Sequence, residues 1–199
     1  MRRTVFFAML VISMAAIGSE AQSQSDQTTF IFATIEGESA GNLSAGASSR
    51  ESIGHFAHED HKDEITVLGF NDGAKSEIKY NHEFDVFDLN GYLSLENVTF
   101  LKHVDRAAPL IEKAMREFER TTITFSYYRR NASNEALELI LTQRFEQCFI
   151  TGSRIIVPNQ AERAHHGAPM MQEVTFVFRQ VTVTFPKTGE SATLEEEWN

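Results

Sequence analysis

The chain has 199 residues, 42% of them hydrophobic, so it is long enough for one domain and too apolar to be disordered. Its formal net charge of −10 argues against a nucleic-acid partner, which would require clustered basic residues. The single cysteine, Cys148, cannot form an internal disulfide, and the apolar run around it predicts a buried thiol.

The N-terminus has the pattern of an export signal. Arg2 and Arg3 precede an apolar run over 5–17, and small residues frame a cleavage site after Ala21. Residues 1–21 are therefore predicted to be a signal peptide, and residues 22–27 a disordered linker. The apolar run is shorter than the roughly 20 residues that span a bilayer, so we expect no stable membrane insertion.

The first half of the domain alternates strands with polar segments. Residues 28–35 and 64–70 are rich in β-branched and aromatic residues, which predicts two strands. Between them, residues 36–61 read as a long loop. Residues 75–92 resist assignment, because acidic and basic residues are interspersed with Tyr80, Phe84 and Phe87. Apolar and polar residues alternate over 93–101, but the alternation shifts by one position midway, which predicts a strand with a bulge.

The long loop contains His55, His58 and His61 at a spacing of three residues. Imidazoles at this spacing are candidates for a transition-metal site or for a response to pH. No neighbouring motif fixes the geometry of such ligands, and a solvated polar loop explains the same residues. We therefore expect no bound metal.

One segment has a helical period. Leu110, Ile111, Ala114, Met115 and Phe118 fall on a single predicted apolar face, with Asp105 as N-cap and Pro109 in the first turn. This face is expected to pack on a sheet.

The rest of the chain reads as strands. Residues 121–128 and 136–150 alternate, and Leu139, Leu141, Phe145 and Phe149 share one phase in the second of these. A polar loop spans 159–171, and the final strand changes phase at a predicted bulge at 179–180 before Pro186. One helix among six or seven strands predicts a mainly β fold, an antiparallel barrel with one flanking helix. Residues 188–199 are predicted to form an acidic tail.

No phosphate-binding loop, nucleophile elbow or zinc motif occurs in the sequence. We therefore expect no enzyme activity, no catalytic residues and no cofactor.

Several segments, in order, resemble the haemolysin-coregulated protein (Hcp) family of type VI secretion. These are the strand opening over 61–70, the strand and Asp-initiated helix over 95–110, the strands over 122–125 and 139–150, and the bulged closing strand over 173–186. The similarity covers most of residues 28–187, which we take as the Hcp-like domain.

The resemblance implies a compact β-barrel, six copies of which close into a ring, with the rings stacking into a tube. It implies the type VI spike, sheath and effector proteins as partners. Residues 71–92 occupy the place of the family's stacking loop, so Tyr80, Phe84 and Phe87 are the predicted ring-stacking residues. Because tube subunits are normally made without a signal peptide, we retain one alternative, an exported binding module on the same barrel that forms no tube.

Overall fold

We describe a computed structural model, which covers residues 28–76, 79–81, 86–88, 93–131 and 134–195. Two helices, α1 and α2, span Arg50–Ile53 and Ala108–Arg116. Short 3-10 turns occur at Gly54–Phe56, Glu59–His61 and Arg163–His165. The strands are β1 (Thr29–Gly37), β2 (Gly41–Asn42), β3 (Ile65–Asn71), β4 (Ala74–Ser76), β5 (Lys79–Asn81), β6 (Val86–Asp88), β7 (Leu93–Leu95), β8 (Val98–His103), β9 (Thr121–Arg130), β10 (Leu137–Ile156), β11 (Met171–Val177), β12 (Gln180–Phe185) and β13 (Glu190–Glu195).

Six of these strands form one closed sheet, in which the first strand pairs with the last. The order β11-β8-β3-β1-β9-β10 runs through antiparallel neighbours, and β10 pairs again with β11. The 20-residue β10 makes this closure possible, because its first half pairs with β9 and β12 and its second half with β11. The predicted antiparallel barrel with a flanking helix is confirmed.

The connections place distinct segments at the two ends of the barrel. Residues 38–64, 104–120 and 157–170 link strands at one end, which we call the helix end. Residues 72–97 and 131–136 link strands at the other, which we call the arm end. Each end is therefore built from different loops.

We call residues 72–97 the arm. Among its described residues, β4 pairs with β7 and β5 with β6, in two sheets separate from the barrel sheet. These two antiparallel pairings are nested in the segment that the sequence pattern left unassigned. The predicted strand over 93–101 is divided between β7, within the arm, and β8, within the barrel.

An aromatic cluster fills the barrel. Phe125 lies in it, with ring centroids 4.5 Å from Phe70, 5.4 Å from Phe100 and 5.8 Å from Phe145. Phe176 stacks on the same ring at 6.3 Å. These rings come from five strands, so one cluster joins most of the barrel wall.

Helix α2 begins and ends differently from the prediction. Asp105 lies before the helix rather than at its N-cap, which is Ala107, although the Asp105 carboxylate accepts the Ala107 N–H at 2.9 Å. Ile111 and Ala114 are buried as expected, and Met115 packs against the core. Leu110 is exposed, and Phe118 lies beyond the last helical residue with 80% of its surface exposed. The predicted apolar face was therefore wrong at these two positions.

Other expectations also need correction. Bulges in β10 change its phase, so that Cys148 and Ile150 are buried with Phe145, whereas Phe149 is only half-buried. The segment predicted as a long loop contains α1, and its Leu43 and Ala47 belong to the core. The predicted acidic tail contains β13, whose six residues are all exposed and pair with β12. The closing strand, which we predicted to bulge at 179–180, is instead interrupted at residues 178–179 and divided into β11 and β12.

Candidate functional site

The arm carries the residues predicted for ring stacking. Tyr80 in β5 and Phe87 in β6 are directly opposite each other in the backbone register. Phe84 lies outside the described residues, as do the predicted signal peptide and linker. The structure thus places two of the three predicted stacking residues on paired strands of the arm.

The helix end presents Phe118 on a tightly bonded turn. The Phe118 N–H donates to the Met115 carbonyl at 3.4 Å, and the Glu119 N–H to the Ala114 carbonyl at 2.9 Å. The Glu119 carboxylate accepts the N–H groups of Ser39 and Ala40 at 2.6 and 3.0 Å, and these bonds lower the Glu119 pKa. The Glu119 carboxylate thereby joins the turn that carries Phe118 to the loop that contains Ser39 and Ala40.

A cleft of about 400 Å³ opens beside this turn. Its charged lining residues are Glu36, Glu38, Arg120 and Glu146. Arg120 lies 3.9 Å from Glu38, and both side chains are more than half exposed, so this ion pair contributes little stability. The cleft is an acidic surface feature, with water available to every charge.

A buried polar network anchors the start of the helical segment. The Lys102 ammonium is fully buried and donates to Asp105 Oδ1 at 2.7 Å, to the His103 carbonyl at 2.9 Å and to Gln172 Oε1 at 3.1 Å. Gln172 Nε2 donates to Ser153 Oγ at 2.9 Å, and Ser153 donates to Glu112. The network joins β8, β10, β11 and α2.

Burial opposes both charges of this pair. Desolvation lowers the pKa of Lys102 and raises the pKa of Asp105, and their mutual attraction acts in the opposite direction on each. Three acceptors around one ammonium offset that desolvation. No motif in the sequence indicated this network, since a lysine in an alternating strand normally reads as exposed.

Each of the three candidate metal-binding histidines contacts an aromatic ring, and two of them share Phe32. His61 stacks on Phe32 at 3.9 Å, His58 meets Phe32 edge-on at 5.2 Å, and His55 contacts Phe56. Within the described ranges, no group of three or more His, Cys, Asp or Glu side chains is arranged to hold a metal ion.

A second cavity, of about 440 Å³, lies where the loop over 55–58 covers β1 and β3. His55, His58 and His103 line it, and His103 Nδ1 is buried with no hydrogen-bond partner. Burial is the main cause that lowers the pKa of His58 and of His103, and the Lys102 charge lowers the latter further. Both rings are therefore uncharged at neutral pH and pack as aromatic groups.

Cys148 is buried in β10, as its apolar surroundings predicted. Burial raises the pKa of its thiol to about 12, so the reactive thiolate does not form near neutral pH. No helix in the described part of the chain has the length and apolar character needed to cross a bilayer.

The described residues form a closed antiparallel barrel with a flanking helix, and two further two-stranded sheets lie outside the barrel sheet. A family model described as "Type VI secretion system effector, Hcp" matches residues 32–185. The chain therefore belongs to the Hcp family of type VI secretion proteins.

Individual relatives agree with this assignment. The chain is 26% identical over 168 residues to the "Major exported protein" of Pseudomonas aeruginosa, covering 84% of this chain and 94% of that protein. A crystal structure of an Hcp protein superposes with a TM-score of 0.76 at 24% identity, covering 86% of this chain and all of that one. The secreted protein Hcp3 from Pseudomonas aeruginosa gives 0.66 at 23%, with the same coverage.

The function predicted from the resemblance, a structural protein of the type VI secretion tube, is confirmed at the level of family and fold. The family is one of structural, secreted proteins rather than of enzymes. Nothing in these comparisons favours the binding-module alternative.

Proposed function

We propose that six copies of this chain close into a ring and that the rings stack head to tail into a tube. The arm is the observation that carries the proposal, because its described strands pair with each other and not with the barrel sheet. We take strands outside the barrel sheet as available for contacts between subunits.

Ring closure is supported by the free edge of the sheet. Among the described strands, β13 pairs with β12 alone, and all six of its residues are exposed. An exposed edge strand carries unpaired backbone N–H and C=O groups that can pair with another chain. A contact between subunits in a ring would cover these groups. The ring contact joins two different surfaces, which lets a closed cycle form.

Within the arm, we propose Tyr80, Phe84 and Phe87 as the stacking residues. Their aromatic side chains are set among charged ones such as Lys79 and Asp88, and an apolar centre with a polar rim is typical of protein contacts. In the assembled machine, the tube would meet the spike and the sheath and carry effector proteins in its lumen.

We expect the double substitution Phe84→Ser and Phe87→Ser to leave the fold and the ring intact and to abolish stacking. Negative-stain microscopy of concentrated protein should show short tubes for the parent and single rings for the variant. Leu68→Ser, which removes an exposed apolar side chain from the barrel wall, is the control and should still form tubes. Loss of the ring, or a collapse in thermal stability, would mean that the arm is part of the barrel.

As an alternative to a sheathed tube, whose subunits are normally made without a signal peptide, we also propose that residues 1–21 direct export and are removed after Ala21. The positively charged start and the short apolar run support this proposal. N-terminal sequencing of protein recovered from the periplasm or the medium should begin at Gln22. Material that begins at Met1 and remains in the cytoplasm would contradict it.

A further inference from the structure

The second cavity lies on the outer face of the barrel wall. In β1, Ala33 belongs to the core, whereas Phe32 lies on the opposite face of the strand and contacts His58. His103, at the end of β8, follows Lys102 and therefore lies on the opposite face of its strand from the Lys102 side chain. The cavity is therefore separate from the aromatic cluster that fills the barrel.

The loop that covers this face is held in place by several contacts. Phe56 stacks on His103 with ring centroids 4.7 Å apart, and the His58 N–H donates to the Ser48 carbonyl at 3.0 Å. Gly54 begins the covering turn with a φ of 63°, a conformation that favours glycine. The cavity is therefore bounded by a loop with defined contacts, as preformed small-molecule sites are.

One buried nitrogen in this cavity has an unused hydrogen-bonding capacity. His103 is 6% exposed, and its Nδ1 is the one buried side-chain nitrogen or oxygen of the described residues that lacks a hydrogen-bond partner. Buried polar atoms are nearly always hydrogen-bonded, because leaving one unpaired is costly. A bound molecule that completes this bond would remove that cost.

The rest of the lining favours an organic molecule over water. Three phenylalanine rings and one exposed leucine line the cavity beside the imidazoles, and they are Phe30, Phe32, Phe56 and Leu68. The Thr66 hydroxyl also lines it but is already hydrogen-bonded to Ser48 Oγ at 2.7 Å. An apolar cavity of roughly 150 Å³ stays dry and holds a benzene molecule. The cavity here, at about 440 Å³, is therefore large enough for a substituted aromatic ring.

The charges around the cavity argue against an ionic ligand. The described residues that line it include no lysine, arginine, aspartate or glutamate, so an ion would be buried without a counter-ion. A cation would also meet two positive charges. The Arg130 guanidinium lies 5.4 Å from the centre of the Phe30 ring, and the Lys102 ammonium is close enough to lower the pKa of His103. The ligand that fits is therefore uncharged.

We propose that this cavity binds a small uncharged aromatic molecule that carries a hydroxyl group, of the phenol class, with the hydroxyl bonded to His103 Nδ1. A hydroxyl both donates and accepts, so it pairs with this nitrogen in either tautomer of the imidazole. The ring of the ligand would pack edge-on or offset against Phe56 and His58. The described residues that line the cavity include none from the arm, so the site goes beyond ring and tube assembly and does not depend on it.

Two probes of similar shape separate the contribution of the hydroxyl from that of the ring. In p-xylene a methyl group replaces the hydroxyl of p-cresol, and calorimetric titration of the full chain with each probe gives two dissociation constants. The parent should bind p-cresol saturably. His103→Phe keeps a ring beside Phe56 but removes Nδ1, so it should weaken the binding of p-cresol relative to p-xylene at least tenfold. His166→Phe, at an exposed histidine outside the cavity, is the control and should bind both probes like the parent.

A measurement on the parent protein decides the matter even if His103→Phe does not fold. The photoreactive phenol 4-azidophenol should label the segments that line the cavity, residues 29–32, 55–58 and 66–68, and an excess of p-cresol should prevent the labelling. The inference would be overturned by no saturable binding of p-cresol, by an unchanged ratio of the two dissociation constants in folded His103→Phe, or by labelling confined to other segments. Each of these results would leave the proposed ring and tube in place.

Discussion

Replacing Lys102 with Met should lower the free energy of unfolding by about 3–5 kcal/mol. The substitution preserves most of the side-chain volume but leaves Asp105 buried without its cation and leaves Gln172 Oε1 without its donor. An unpaired buried carboxylate is far more costly than an unpaired exposed one. Chemical denaturation followed by circular dichroism, at one fixed protein concentration, measures the loss.

A double-mutant cycle identifies the cause. Asp105→Asn keeps an oxygen for the Ala107 N–H, so the double variant Lys102→Met and Asp105→Asn has no buried charge and retains that bond. It should be more stable than Lys102→Met alone. The double variant could instead lose as much free energy of unfolding as the two single variants lose together. That result would show that the two side chains are not coupled and that their pairing does not stabilise this region.

Replacing Phe125 with Ala should also cost about 3–5 kcal/mol. The Phe125 ring is completely buried and contacts rings from four other strands, so its removal opens a cavity that the rigid barrel cannot fill. The same denaturation experiment on unstacked protein provides the measurement.

Phe118→Ala is the matched control, because it removes the same atoms from an exposed position. Its effect on the free energy of unfolding should stay below about 1 kcal/mol. A loss of several kcal/mol at Phe118, or a loss below 1 kcal/mol at Phe125, would show that the aromatic cluster is wrongly placed.

The sequence predicted the main barrel strands because alternation is a local property. The segments over 28–35, 64–70 and 121–128 each bury one face against a common core, and β1, β3 and β9 lie where the pattern placed them. The helix was found for the same reason, since Ile111 and Ala114 repeat at its period. Periodicity is informative wherever a single face is buried.

The failures occur where a contact between distant segments decides the outcome. Phe118 continues the helical period past the residue where the helix ends, and no glycine marks that end. Phe149 loses its place in the core because the pairing of β10 with β9 is irregular after Phe145. Neither event leaves a signal in the local pattern.

The functional surfaces were predicted only in part. Aromatic residues among charged ones led us to predict a stacking segment over 71–92, which stays a prediction. Its described strands are three residues long and pair across distant positions, so no hairpin was predicted. The buried Lys102 and the exposed Phe118 contradict the usual preferences of their residue types. Such exceptions become visible only once the packing is known.

The central claim is that the chain assembles through rings, and the molar mass of the purified protein tests it most directly. Size-exclusion chromatography with light scattering should give six times the mass of the protomer, which is 22.5 kDa for the full chain. The same value should persist for the double variant Phe84→Ser and Phe87→Ser, because it is proposed to act on stacking alone. A mass equal to that of one protomer at every concentration would contradict the account.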